Sequence, residues 1–428
     1  MENTADSSKP QSMRPFFIIW IGQAFSLLGS QLVQFALVWW LTRTTGSATV
    51  LAYASLVALL PQVFIGPWAG ALVDRHSRRM VLIVADGIIA LATLGLMLLF
   101  WLGIAQVWHI YVIMFIRSLG AAFHWPAMQA STTLMVPQKH LGRVAGMNQT
   151  IAGLAGILIP PLGALAIESL PMQTILSIDV LTAMLAIGPL FFIIIPQPVR
   201  KASPMTPEAG RSLLADMREG LHFVVRWKGL WMFSAIGMVI NLLGRAAITL
   251  LPILVTRHFG GRALEFGWMQ SAVGIGAIIG GVTLGIWGGF KRRILTILLA
   301  LALDGMVIMV IALTPVEAFT IAVVAIFMAG FLETIVFGLS GAVGQAIIPP
   351  EMQGRVFSLL SSLGQLIAPL GLAIAGPVAD AVGVQYWWLM TGIIITVMGT
   401  GAFLVPSIVH LEDRIRFGSP PLISPSNF

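Results

Sequence analysis

The sequence predicts an all-α membrane protein in which twelve transmembrane helices form two pseudo-symmetric six-helix bundles. Three observations favour this fold class. Of the 428 residues, 57% are hydrophobic and only 10% are charged, a balance unlike that of a soluble chain. Twelve apolar runs approach or exceed the roughly 20 residues that one membrane crossing needs. Lysine and arginine collect in alternate loops between these runs.

The apolar runs are joined by short polar connections, several of them marked by proline or glycine. Because backbone polar groups in lipid must be hydrogen-bonded internally, each run is expected to be a helix. We predict spans at 16–41, 48–73, 80–102, 108–134, 144–168, 174–195, 229–256, 264–289, 294–313, 317–348, 356–380 and 385–407.

The longest polar interval separates the sixth and seventh spans. It includes a predicted amphipathic helix at 212–226, where apolar residues recur at helical spacing. The predicted segments are a cytoplasmic tail (1–15), an N-terminal bundle (16–195), a cytoplasmic central loop (196–228), a C-terminal bundle (229–407) and a second cytoplasmic tail (408–428).

The basic residues predict the orientation. With both termini on one side, 19 of the 24 lysines and arginines fall on that side, three on the other and two inside spans. Positive charge accumulates on the cytoplasmic side of membrane proteins. We therefore expect a multi-pass protein of a cytoplasmic membrane with both termini in the cytoplasm.

Two spans six apart begin alike and suggest an internal repeat. Span five opens with Gly142-Arg143-Val144 and span eleven with Gly354-Arg355-Val356, and each later contains Pro-Leu-Gly. Such similarity is typical of two halves related by an axis along the membrane normal. Chance recurrence of small and apolar residues is the alternative.

The loop between spans two and three, "GALVDRHSRRM", is dense in charge. We expect Gly70 to let a neighbouring helix approach closely. Asp74 is expected to accept a hydrogen bond from an arginine or to face the positive end of a helix dipole. Arg75, Arg78 and Arg79 are expected at the headgroup level. The loop is either an anchor for topology or a latch whose ion pairs break and re-form.

Charges inside predicted spans cost at least about 2.5–3.5 kcal/mol unless they find a partner or water. Arg117 in span four keeps its proton, so it serves either transport or a fixed ion pair. Asp179 in span six is interpreted as a structural partner or a proton carrier. Glu333 in span ten either exchanges protons or a cationic substrate, or stays neutral or paired with Arg245. Arg117, Asp179 and Glu333 are the candidates for proton coupling.

Other polar side chains are candidates for a substrate cavity. Arg245 and Asp304 form a possible ion pair within the second half. Gln23, Gln31 and Gln34 share one face of span one. Because amides avoid lipid, they either line a substrate path or hydrogen-bond neighbouring helices.

Two further ionisable residues have a structural and a functional interpretation. Asp86 is expected to pair with the arginines of the charged loop, with a transport site as the alternative. His124 is either a hydrogen-bonded packing residue or a group that titrates near neutral pH. No clustered histidine or carboxylate spacing indicates a metal site, and no cofactor is expected.

Several classes of function are disfavoured. The chain has no cysteine, which excludes disulfides and cysteine-bound metals. The net charge of +7 is spread over short loops, so nucleic acid is not an expected partner. Phosphate-binding and hydrolase motifs are absent, which disfavours an enzyme and an ATP-driven pump. A transporter or a membrane receptor remains.

The charged loop resembles the loop motif of the major facilitator superfamily, with Ser77 where a second glycine is usual. The resemblance implies the fold of that superfamily and a conformational latch. "FIRSLGAAFHWPA" resembles the span-four motif of its proton-coupled exporters through Arg117 and Gly120. Span five resembles the antiporter helix motif, with Pro160 in place of a glycine; its matching residues are Gly153, Gly156, Pro161 and Gly163.

Longer segments, including "IWIGQAFSLLGSQLVQFALVWWLTRTTGSATVLAYASL" and "GPWAGALVDRHSRR", are similar to the macrolide-efflux (Mef-type) group of bacterial facilitators. The resemblance implies proton-driven export of a small hydrophobic or cationic drug, hence antibiotic resistance. We expect a monomer in contact with lipid. Export of an endogenous metabolite such as a siderophore, or a non-transporting receptor, are the alternatives.

Overall fold

Helices make up most of the described chain. The structure, a computed structural model, describes residues 13–197 and 218–412, and in these ranges it contains no β-strand. Twelve helices of 19 residues or more occur there, which confirms the predicted fold class. They are α1 (Arg14–Thr45), α2 (Ala48–Arg75), α3 (Arg78–Trp101), α4 (Val107–Met135), α5 (Gln138–Ser169), α6 (Met172–Leu190), α7 (Lys228–Thr249), α8 (Ala263–Trp287), α9 (Arg293–Leu313), α10 (Phe319–Ile347), α11 (Pro350–Val382) and α12 (Val384–Ala402).

The connection from α1 to α2 shows how the sequence sets helix ends. Gly46 has a φ of 60°, a left-handed conformation that suits glycine, and its N–H donates to the Thr42 carbonyl at 2.8 Å. The next residue, Ser47, caps α2 by accepting from the Val50 N–H at 3.2 Å. One short connection therefore ends one helix and starts the next.

Two helix ends differ from the predicted spans. The sixth span was predicted to end at 195, but α6 ends at Leu190. Pro189 lies in its last turn and Pro196 follows, and proline disfavours helix in the residue before it. The seventh span continues beyond α7 as a short helix at Leu251–Ile253 and a π-helical turn at Leu254–His258.

Length and composition fit a membrane. Among the described residues, eleven helices are long and apolar enough to cross one by these criteria. The twelfth helix, α12, has 19 residues and lies outside that set; glutamine, tyrosine and two tryptophans in its first turns lower its mean hydropathy. Large apolar side chains face outwards, including Phe192 at 88% and Ile286 at 84% exposure, as expected of a surface in contact with lipid.

The chain forms two compact units. The N-terminal unit contains the described residues 13–197 together with Gly261–Ser271, and the C-terminal unit contains 218–260 and 272–412. Phe266, near the start of α8, stacks on Phe35 and Trp39 within the N-terminal unit. Most of the predicted tails and of the predicted central loop lies outside the described residues.

Two apolar clusters lie towards opposite ends of the N-terminal unit. The loop-end cluster is near the charged loop and contains Phe16, Ile19, Val73, Leu82, Ala127, Met135, Val136, Val144, Leu190 and Ile195. The far-end cluster contains Val33, Leu37, Leu41, Ala54, Leu96, Ile110, Met114 and Leu176. Along α1, α3 and α4, polar residues occupy the stretch between the two clusters.

The C-terminal unit has a core in which α9 packs against α10 and α12, and α7 against α11. Part of the predicted amphipathic helix is described, as a helix over residues 218–226, whose Phe223 and Val224 join this core; positions 212–217 lie outside the described residues. Glu219 of this helix pairs with Arg355 of α11 at 2.7 Å. This contact ties the segment before α7 to α11.

The crossing of α9 and α12 depends on Gly305. A Cβ added there would lie 2.4 Å from the Thr396 backbone nitrogen. We predict that Gly305→Ala lowers the free energy of unfolding by about 1–3 kcal/mol, as overpacking of a core does. The thermal midpoint of purified protein measures the change. Gly237→Ala in α7 is the matched control, because no described atom lies within 4 Å of its added Cβ. Equal midpoints for the two variants would contradict this account.

Candidate functional site

A buried ion pair lies in the middle of the N-terminal unit. Arg117 of α4 donates to the Asp179 carboxylate of α6, and their side chains are 11% and 1% exposed. Asp179 also accepts from Ser30 of α1 at 2.8 Å and from Thr93 of α3 at 2.9 Å. One carboxylate therefore joins four helices, and both of its oxygens have partners.

The two charges of this pair balance each other. Arginine keeps its proton, and Arg117 donates to Thr93 as well as to Asp179. Of the roles that we left open for Asp179, the structure shows the pairing with Arg117. A buried ion pair with satisfied hydrogen bonds is tolerated, but removal of one partner leaves a costly lone charge.

Gly29, which we did not predict, lets α1 approach α6 at this point. A Cβ added at Gly29 would lie 2.3 Å from the Thr182 hydroxyl and 3.3 Å from the Asp179 Cα. The approach brings the neighbouring Ser30 within hydrogen-bond distance of Asp179. The only sequence signal was a glycine beside a serine inside an apolar run, a common pattern in membrane helices.

A second polar cluster joins α1, α3 and α4. Gln23 donates to Asp86 at 2.8 Å, and its amide oxygen lies 2.8 Å from His124 Nε2. His124 Nε2 is also 3.3 Å from Asp86. We expected Asp86 to pair with the arginines of the charged loop, and this expectation is wrong. Asp86 lies two turns along α3 from Arg78, and the side chains nearest its carboxylate come from α1 and α4.

The two clusters form one polar layer between the loop-end and far-end apolar clusters. Its members are Gln23, Ser30, Asp86, Thr93, Arg117, His124 and Asp179. The other glutamines that we singled out behave differently. Gln31 is half-buried and Gln34 is exposed, and neither hydrogen-bonds another described residue. Gln23 is thus a structural link between helices, and the role of the other two stays a prediction.

The candidate residues of the C-terminal unit are arranged otherwise. Asp304 of α9 is 7% exposed, and its Oδ1 has no hydrogen-bond partner among the described residues. The expected ion pair between Arg245 and Asp304 does not occur in the described part of the chain. Arg245 and Glu333 are exposed, and Glu333 is close enough to interact electrostatically with both Asp304 and Arg245. Within the described ranges, Asp304 is therefore buried without a cation, whereas Arg245 lies on an exposed position of α7.

The charged loop is fastened to the end of α6. Arg79 donates to the Leu190 carbonyl and, at 2.7 Å, to the Phe191 carbonyl, which are groups left unpaired at a helix C-terminus. Arg78 is 7% exposed at its side chain, donates to Gln197 at 3.2 Å and pairs with Asp74 at 3.1 Å.

The rest of the loop was predicted less well. No described atom lies within 4 Å of a Cβ added at Gly70, so the close helix approach expected there is absent from the described structure. Asp74 is 71% exposed, and exposed ion pairs contribute little to stability. Arg75 also lies in the loop, at the last position of α2. The role of the loop as a latch stays a prediction.

The glycines expected in helix packing divide into two kinds. A Cβ added at Gly120 would lie 2.8 Å from the Ile89 side chain, and one added at Gly163 would lie 2.7 Å from the Phe35 ring. These two glycines allow close contacts of α4 with α3 and of α5 with α1. No described atom lies within 4 Å of a Cβ added at Gly156. Pro161 lies inside α5, as does Gly153, for which packing remains a prediction.

No group of three or more histidine, aspartate or glutamate side chains suited to hold a metal ion was found in the ranges 13–197 and 218–412. The candidate site consists of ionisable side chains, some in ion pairs and some not, on helices long enough to cross a membrane. Such charges in apolar helices are typical of transporters.

Comparisons with known proteins agree with this class of protein. The family model described as "Major Facilitator Superfamily" matches residues 19–372, so the chain belongs to this superfamily. It is 34% identical to Macrolide efflux protein A of Streptococcus pyogenes, over 93% of this chain and 97% of the relative. It is 26% identical to the multidrug efflux pump Tap of Mycobacterium tuberculosis, over 93% and 95%. The chain is thus a multi-pass efflux transporter and not an enzyme.

Solved structures show the same fold. A bacterial homologue of the iron transporter ferroportin matches with a TM-score of 0.69 and 15% identity, covering 91% of this chain and 99% of that one. A bacterial homologue of the human lysosomal transporter Spinster matches with a TM-score of 0.64 and 14% identity, covering 93% and 96%.

The Arg117–Asp179 pair leads to a prediction for stability. Arg117→Ala leaves a buried carboxylate without its cation, and we expect a loss of about 3–5 kcal/mol in the free energy of unfolding. Asp179→Asn together with Arg117→Ala removes both charges, so the double variant should be more stable than the sum of the single changes predicts. Thermal unfolding of the purified variants measures this coupling.

The Arg257–Asp380 pair is the matched control. Its atoms are 3.0 Å apart, but its side chains are 43% and 25% exposed, so the same changes there should cost under about 1 kcal/mol. Strict additivity at Arg117 and Asp179 would show that the buried pair does not stabilise the bundle.

Proposed function

We propose that the chain is a drug:H⁺ antiporter of a bacterial cytoplasmic membrane, which exports hydrophobic cationic drugs, macrolides first among them, by alternating access. Both termini lie in the cytoplasm, and the protein works as a monomer surrounded by lipid. The names of two relatives, a macrolide efflux protein and a multidrug efflux pump, support the substrate class. The distribution of basic residues supports the orientation.

The proposal of proton coupling rests on two acidic residues of the C-terminal unit, Asp304 and Glu333, which we call the acid pair. Asp304 is buried with one oxygen unpartnered, and Glu333 interacts with it electrostatically. Two carboxylates that interact, one of them buried, disfavour simultaneous ionisation. Such a pair is suited to hold either a proton or the ammonium group of a drug. Exchange of one for the other is the elementary step of an antiporter.

The two units have different tasks in this proposal. In the C-terminal unit, Glu333 exchanges proton and drug, while Asp304 and Arg245 set the charge around it. In the N-terminal unit, Arg117 and Asp179 couple the exchange to helix movement by strengthening or weakening their pair. The charged loop, which contains Asp74, Arg75, Arg78 and Arg79, acts as a latch: its ion pairs stabilise one conformation of the transport cycle. Exposed Gln34 and half-buried Gln31 contribute polar groups to the drug path.

Transport in inside-out membrane vesicles tests the proposal. In such vesicles an acidic interior should drive uptake of radiolabelled erythromycin, because protons leave as the drug enters. Collapse of the pH gradient with nigericin should lower the accumulated drug at least about tenfold, to the level of equilibration. Uptake that survives nigericin would exclude proton drive. Saturable binding without any uptake would favour a receptor instead.

A panel of substrates separates macrolides from the alternative of an endogenous metabolite. Labelled erythromycin should compete with other hydrophobic amines but not with anionic iron chelators, because the acid pair attracts cations. Competition by the chelators alone would indicate a siderophore exporter.

Glu333 has its own test. Glu333→Gln removes the exchangeable proton and the negative charge, so gradient-driven uptake of erythromycin should fall at least about tenfold. Glu351→Gln is the matched control, since Glu351 is an exposed glutamate in the first turn of α11; it should transport normally. Full activity of the Glu333 variant would remove Glu333 from the proton pathway.

A further inference from the structure

The Asp86 cluster contains a buried carboxylate whose only ion-pair partner among the described residues is a histidine. Asp86 is 4% exposed and Gln23 is 7% exposed. His124 Nε2 lies 3.3 Å from Asp86 Oδ1, while Gln23 donates to Oδ2 at 2.8 Å. The charge of this carboxylate is therefore balanced only when His124 is protonated.

The arginines of α3 and α4 are engaged elsewhere. On α4, Arg117 pairs with Asp179, the only ionisable residue of α6. On α3, Arg78 contacts Asp74 and Gln197, and Arg79 donates to carbonyls at the end of α6.

The other helices of the unit bring no further charge to Asp86. His109, at the start of α4, accepts from the Gln106 backbone at 3.0 Å. The acidic, basic and histidine residues of α1, α2 and α5 lie in the first or last two turns of these helices. Asp179 acts on Asp86 electrostatically, but its own charge is balanced by Arg117.

The hydrogen bonds fix where the histidine carries its proton. The Gln23 amide nitrogen donates to Asp86, so the amide oxygen faces His124 and can only accept. His124 Nε2 must therefore carry a hydrogen, which points towards Gln23 and Asp86. A flipped amide would place its oxygen against the carboxylate. The second ring nitrogen, Nδ1, is left as the acceptor; it has no described partner, and the side chain is 23% exposed.

We propose that His124 and Asp86 form a proton-binding site in the N-terminal unit. A proton from water binds His124 Nδ1, and the imidazolium then faces the Asp86 carboxylate as a neutral pair. Release of that proton to water from the same nitrogen leaves a net charge of −1 on the cluster of Gln23, Asp86 and His124. Gln23 orients both groups and is a positioning residue. The inference deepens the proposed function, on which it rests, by assigning a second group to the proton cycle.

The Arg117–Asp179 pair cannot take this role in its observed geometry. Arginine does not release its proton, and both oxygens of Asp179 already accept hydrogen bonds. Histidine can bind and release a proton near neutral pH, and His124 Nδ1 has no hydrogen-bond partner among the described residues. Among the described groups of the polar layer, it is the side chain with both a partner for its positive charge and a path for its proton.

Nuclear magnetic resonance of the full chain in lipid nanodiscs tests the site without transport. With ¹⁵N-labelled histidine, the signal that His124→Gln removes is that of His124. At alkaline pH it should report the tautomer with hydrogen on Nε2, and both nitrogens should be protonated on acidification between about pH 9 and pH 5. Asp86→Asn should move its midpoint by about one pH unit or more, whereas Asp74→Asn should not. A His124 that stays neutral, or an unmoved midpoint, overturns the proposal.

Transport separates this inference from the proposed function. In inside-out vesicles, His124→Gln should retain erythromycin exchange at equal pH but lose gradient-driven accumulation at least about tenfold. Full gradient-driven uptake by this variant, with an active wild type, refutes the His124 site alone. A wild type without gradient-driven uptake refutes the proposed function, and the resonance result still decides whether the pair binds a proton. If Asp86→Asn does not fold, Asp86→Glu keeps the carboxylate and should retain the His124 titration.

Discussion

The structure depends on the cost of an unpaired charge inside an apolar helix. Each such charge must find a partner, a cavity with water or a neutral form, and the N-terminal unit meets this requirement with one continuous polar layer. The layer crosses α1, α3, α4 and α6 between two apolar clusters. Because Asp179 binds groups from three other helices, movement of any of the four changes the environment of its charge. Helix packing and electrostatics are therefore inseparable in this unit.

The C-terminal unit handles its charges differently. Asp304 has an unpartnered oxygen, and the exposed Arg245 forms no ion pair with it in the described structure. A site with unused hydrogen-bonding capacity is suited to a ligand that comes and goes, whereas a saturated site such as Asp179 is suited to a fixed joint. This contrast is the physical basis for our proposal that drug exchange belongs to one unit and mechanical coupling to the other.

The sequence predicted the fold well and the contacts of the site only in part. Run length and the bias of lysine and arginine are properties of single segments, so twelve helices were visible without any tertiary information. Arg117 and Asp179 were recognisable because charges are rare in such segments, and their pairing was one of the options. The partners of Asp86 were predicted wrongly because they depend on helix rotation, which brings Gln23 and His124 to its carboxylate. The space beside Gly70 and the close contact at Gly29 depend on neighbouring helices, and no local pattern distinguishes these two glycines.

The central claim is that drug and proton compete for the acidic groups Glu333 and Asp304, so drug binding must release protons. The most direct measurement is the pH change of weakly buffered, purified protein when erythromycin is added. The account predicts release of about one proton per drug molecule bound, and a loss of this signal in Glu333→Gln. Saturable binding of erythromycin with no release of protons at any pH would contradict it.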